Sequence, residues 1–169
     1  MGLHMTGQMG RAASAALMIT LGCGQAQAAA SDCWAAQTVS AAKVRDLQTM
    51  LMVAGLRCRA SGTDVLGAYN HFVKANRAAL VEVNDRLKLH FKAAYGPAQG
   101  QRSYDRFATA LANTYGAGGG GTADCVDMAA LAGEAASARG SAALAAIAER
   151  RGVDPDLRAY RCSVRIATR

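Results

Sequence analysis

The 169 residues carry 19 Lys+Arg against 12 Asp+Glu, a formal charge of +7, and are 51% hydrophobic with 18 glycines and two prolines. That apolar content can close a core, which excludes a disordered chain, and the length fits one domain. Beyond the N-terminal region no apolar run is long enough to span a bilayer.

The N-terminus reads as an export signal. Arg11 precedes an apolar run from Ala12 to Leu21, followed by Gln25-Ala26-Gln27-Ala28, a small-x-small cleavage pattern. Residues 1–28 are expected to be a signal peptide cut after Ala28 or Ala30, with Met1, Met5 and Met9 as alternative starts. Leu21-Gly22-Cys23 partly matches a lipobox, but Thr20 stands where leucine is favoured, so lipidation at Cys23 is not expected. One helical domain, 31–163, should follow, with a frayed basic tail at 164–169, in the periplasm or outside the cell.

Cys33 opens a first helix over 33–54, where Ala36, Val39, Leu47, Met50, Leu51 and Ala54 share a face and Gly55 offers a left-handed stop. Trp34, the only tryptophan, is expected to pack against the base of the domain. Residues 64–95 read as one long amphipathic helix of about 45 Å. Val65, Tyr69, Phe72, Val83 and Leu87 lie along its apolar wedge, interrupted by Asn76 and His90. Lys74, Arg77, Lys88 and Lys92 lie behind. Thr63 or Asp64 caps its start and Gly96-Pro97 ends it.

A polar turn, 96–101, should lead to a third helix from Ser103 to Tyr115. The glycine-rich stretch 116–121 lacks the Lys and Ser/Thr of a phosphate loop and reads as a slack connection. Further helices are expected at 124–138, at 141–151 and, started by Asp154-Pro155, at 155–161. There is no convincing strand or repeat. The expected fold is an all-α, disulfide-stapled bundle of about five helices plus a short C-terminal helix, organised around 64–95.

Four cysteines, Cys33, Cys58, Cys125 and Cys162, remain after signal removal, as suits two disulfides in an oxidising compartment. Their wide spacing does not suit a zinc site. A continuous first helix holds Cys33 and Cys58 roughly 33 Å apart, too far to bond. Alternating helix directions then place Cys58 with Cys125 at one end and leave Cys33 for Cys162.

Catalytic signals are sparse. His71 and His90 do not share i,i+4 spacing, and HExxH and GxSxG are absent. Glu82, Glu134 and Glu149 lie off the apolar stripes, where solvated surface acids belong. Neither cofactor nor metal is implied, and nucleic acid is not an expected partner. Arg150, Arg151, Arg158, Arg161 and Arg165 form a basic C-terminal cluster. This suits an anionic envelope component, although the ordinary solubility of a basic exported protein is the favoured explanation. The leading expectation is an exported, non-enzymatic binding or structural protein of the bacterial envelope. The alternatives are a small-molecule carrier with a cavity lined by Met50, Phe72, Asn76, Leu80, Phe107 and Leu111, and a cell-wall hydrolase pairing Glu82 or His71 with a second acid. The sequence sets no oligomeric state.

Overall fold

The structure, a computed structural model, describes residues 34–116 and 122–158. Among them the chain is all-α, without strands. Its helices are α1 (Ala36–Arg57), α2 (Val65–Ala75), α3 (Arg77–Tyr95), α4 (Pro97–Gly116), α5 (Thr122–Ser137) and α6 (Gly140–Arg150), with a 3-10 turn, Cys58–Ala60, after α1. The expected signal peptide, Cys33, Cys162, Arg161, Arg165 and the tail 164–169 lie outside the described residues, as does most of the glycine-rich connection. No described helix is long and apolar enough to cross a membrane.

The bundle is organised around α1, which touches each of the other five described helices. Eleven of its 22 residues are buried. Ala41, Ala42, Val44, Leu47 and Leu51 point inward around more than a single stripe, as a helix enclosed by neighbours requires. Gly55 does not end it. That glycine has ordinary helical backbone, and α1 runs on to Arg57. An added Cβ at Gly55 would come within 3.3 Å of the Leu66 backbone, so its smallness serves the close approach of α2.

The expected rod over 64–95 is two helices that meet at Asn76. There φ −112° and ψ 20° depart from the helix, although the Asn76 amide still donates to the Phe72 carbonyl. At this break the asparagine side chain donates to the Ala135 carbonyl of α5 at 2.9 Å and more weakly, at 3.5 Å, to the Phe72 carbonyl of α2. Asparagine competes for backbone groups in this way and tolerates non-helical φ and ψ. The two halves have different partners: α2 packs chiefly on α5, and α3 on α4 and α1.

The start of α2 is capped by Asp64, whose carboxylate accepts from the Gly67 amide at 2.8 Å. The turn between α3 and α4 is shorter than expected. Gly96 alone makes it, at φ +80°, and Pro97 opens α4 at the position where a missing N–H costs nothing. Residues 97–101 therefore belong to α4. A Cβ at Gly100 would fall 2.6 Å from the Lys92 Cα, so this glycine lets the two helices cross almost in backbone contact.

Cys58 and Cys125 form a disulfide, tying the end of α1 to the beginning of α5. Ala54, Val65 and the two cysteines make a small buried cluster there, with Met128 and Ala129 against it. The expected Cys33–Cys162 bond concerns residues outside those described.

After α6 the chain turns at Gly152 (φ +65°), and Val153 donates back to the Ala148 carbonyl at 2.9 Å. The helix expected from Pro155 does not form over Pro155–Leu157. Burial there alternates instead: Val153 and Pro155 are buried, Leu157 is half-buried, and Asp154, Asp156 and Arg158 are exposed. That period of two marks an extended strap laid on the bundle. The Asp156 carboxylate accepts from the Arg158 amide at 3.0 Å, a local turn in place of the helix expected from Asp154-Pro155.

Candidate functional site

The feature with most chemistry lies where the strap crosses the bundle. A groove of about 600 Å³ is lined by Trp34, Val39 and strap residues Asp154, Pro155, Asp156, Leu157 and Arg158. Its floor is aromatic. Trp34, 8% exposed, lies 4.1 Å from the His90 ring and meets Phe91 edge-on at 5.7 Å and Phe107 at 6.2 Å between centroids. Phe91 also contacts Tyr95 and Tyr104. Trp34 thus packs at the base of the domain as expected, while one edge borders the groove. His90 is half-buried beside it with Nε2 shielded from solvent, and burial holds its imidazole below the ordinary histidine range.

Further along α1, two turns beyond Val39, Asp46 is 3% exposed. The Tyr115 hydroxyl, from the end of α4, donates to its carboxylate, while Oδ1 has no hydrogen-bond partner among the described residues. Burial pushes the Asp46 carboxyl up to about 6; the Tyr115 bond opposes that rise and the Asp154 charge adds to it. Tyr115 is in turn held well above the usual phenol range by burial and by the Asp46 charge. Sequence reasoning missed this acid. The signal was present, because Val39, Ala42, Met50 and Val53 flank Asp46 at i−7, i−4, i+4 and i+7.

The six residues expected to line an internal cavity do come together, as packing. Phe72, Leu80, Phe107 and Leu111 belong to one core cluster with Met50 against it. Asn76 is 4% exposed, with its amide committed to Ala135. The surface grooves described here are lined by other residues. Replacing Asn76 by Ala should lower stability by about 1–2 kcal/mol in urea denaturation, because the Ala135 carbonyl in the last turn of α5 loses a partner. The Ala138 amide still donates to that carbonyl, which keeps the loss moderate.

The basic C-terminal cluster is largely paired where it is described. Arg150 reaches Glu134 at 2.6 Å, Arg151 reaches Asp127 at 3.2 Å and Glu134 at 3.4 Å, and Arg158 reaches Asp156 at 3.1 Å. The Arg150 hydrogen bond, followed by that of Arg151, holds the Glu134 carboxyl below its ordinary value. Glu149 accepts Lys43 at 3.0 Å, and Glu82 accepts Arg86 at 3.3 Å. These are solvent-facing pairs of small energetic weight. Lys74, Arg77, Lys88 and Lys92 are exposed, as is His71.

A second groove runs between α1 and α3 to the start of α6. Glu82 and Arg86 lie in both of its parts, with Ser40 and Ser141 in one and Leu89 and His90 in the other. His71 is not among the residues that line it. Among the described residues no group of three or more His, Cys, Asp or Glu is placed to hold a metal ion.

Comparison of the chain with family models, with curated proteins and with solved structures finds no match.

Proposed function

We propose that this chain is an exported helical protein of the bacterial envelope that works by holding a partner, either another envelope protein or an anionic envelope component. The observation that carries the reading is the Cys58–Cys125 disulfide, which closes a separation of 67 residues in an otherwise well-packed helical domain. Such bonds persist in oxidising compartments, and the export-like N-terminus supports the same placement. The open grooves beside Trp34 and along α3 offer mixed polar and apolar contact surface. With Arg150, Arg151 and Arg158 already engaged by carboxylates, attraction to an anionic partner falls more to the exposed Lys74, Arg77 and Lys92. The carrier reading is secondary, because its six residues are packed on one another.

The test is expression with the native N-terminus, cell fractionation, and cross-linked capture from the envelope under non-reducing conditions. The expected result is an oxidised protein in the envelope fraction that brings down a partner, with yield falling as salt rises if that partner is anionic. A cytoplasmic protein with Cys58 and Cys125 reduced would overturn the proposal.

A further inference from the structure

We infer that Cys33 and Cys162 are bonded to each other at the groove beside Trp34, and that this second disulfide fastens the strap Val153–Arg158 to the start of α1.

The first and last of the described residues meet at one place. Trp34 and Arg158 line the same groove of about 600 Å³. Trp34 and Val153 belong to one buried cluster, and Leu157 packs against it. The strap is thus seated at the Trp34 end of the bundle by its own side chains. Cys33 is the residue next to Trp34, and Cys162 lies four residues past Arg158. One residue moves the chain by about 3.8 Å and four span at most about 13–14 Å, so the two cysteines can reach across a single groove to the Cα separation of about 7 Å or less that a disulfide requires.

The other sulfurs leave no competing partner. Cys58 and Cys125 are joined at the far end of α1. That helix runs for 22 residues, about 33 Å, which keeps Cys33 away from them. Only Cys23 remains, inside the expected signal peptide. Forming the bond removes one proton from each thiol and passes two electrons to a small disulfide oxidant, which leaves as two thiols.

The strap is an element that gains from a second tie. It has no helical ladder over 153–157. The Val153 amide fixes its start to the Ala148 carbonyl, whereas at its exposed end the Arg158 side chain donates to Asp156 of the strap itself. A cross-link just past Arg158 holds that end, so the rim of the groove is fixed from both sides. The loop it closes is longer than that of Cys58–Cys125, so in the chain-entropy picture it constrains the unfolded chain more. Persistence of the bond in the cell rests on the proposed export to an oxidising compartment. The reach across the groove does not, so the test is made in vitro.

We would take the protein as purified after expression with its native N-terminus, reduce and unfold it, and refold it in a glutathione redox buffer. Free thiols are then alkylated and the protein is cut with trypsin without reduction. The expected product is the peptide ending at Lys43 joined to Cys162–Arg165, with the link assigned to Cys33 by fragmentation. Cys33→Ser should leave Cys162 open to alkylation, and Cys162→Ser should leave Cys33 open. In the oxidised double variant Cys33→Ser/Cys162→Ser, hydrogen exchange of the Val153 amide and acrylamide quenching of Trp34, the only tryptophan, should both rise several-fold, while the Leu47 amide keeps its protection. Cys33 and Cys162 both alkylated in refolded wild type, or Cys162 joined to any other cysteine, overturns the inference. So does a Val153 amide that exchanges no faster in the double variant. A cytoplasmic protein that still forms the Cys33–Cys162 bond on refolding supports the inference and overturns only the proposed location.

Discussion

Replacing both Cys58 and Cys125 with serine is expected to lower the unfolding free energy by about 4 kcal/mol, through a lower urea midpoint with little change in the cooperativity of the folded core. The chain-entropy argument gives this magnitude: a cross-link spanning 67 residues removes many conformations from the unfolded chain and few from the folded one. The surroundings add to it. Both cysteines are buried, at 5% and 3% exposure, in a cluster with Ala54 and Val65 that is separate from the main core. Two serine hydroxyls left there would be poorly solvated. Denaturation of the double variant beside oxidised wild type checks the prediction. Equal midpoints would show that the bond adds nothing to stability.

Phe91→Ala should cost a comparable amount, about 3–5 kcal/mol, the range for removing a buried ring from a packed interior. Phe91 has no measurable exposure and joins α3 to α4 and to the chain before α1. Its ring lies 5.5 Å from Phe107, 6.0 Å from Tyr104 and 5.7 Å from Trp34. Its carbonyl also lies against Gly100, where the α3–α4 crossing leaves little freedom to collapse into the cavity. The signature is specific, because Trp34 should become more accessible to quencher in the still-folded variant. A melting temperature shifted by only a degree or two would mean that the site repacks and that the crossing is less rigid than described.

The fold class was readable because several local signals agreed. Apolar residues recur at helical spacing, Gly96-Pro97 marks a stop and a start, and Asp64 is a sound cap. The error lay in which helix the others surround. Residues 64–95 carry a clean apolar stripe, the mark of a helix with one side in water. α1, enclosed by five neighbours, shows a blurred pattern that ranked it lower in the sequence. Asn76 was legible as a polar residue interrupting that stripe, and it is a buried amide bound to a neighbouring helix. That the rod would break there, with the amide turned to the α5 backbone, is not encoded in periodicity. Gly55 and Gly100 have a similar explanation. Each is small because another helix comes close, and a sequence shows a glycine without showing the reason for it. At the candidate site, Trp34 was legible as a packing residue, whereas Asp46 was hidden as one charge within a helix taken to be an ordinary amphipath. Arg150 and Arg151 were legible as a cluster, but their neutralisation by Glu134 and Asp127 requires the end of α6 to come within side-chain reach of α5.

The enclosure of α1 also bears on how the molecule is made. Of the described helices, the one that touches all the others is made first, and its last partner, α6, begins only at Gly140. At ordinary synthesis rates that interval is on the order of ten seconds. Until then the side of α1 that α6 covers lacks its native partner. The described bundle can therefore close around α1 only after α6 has been translated.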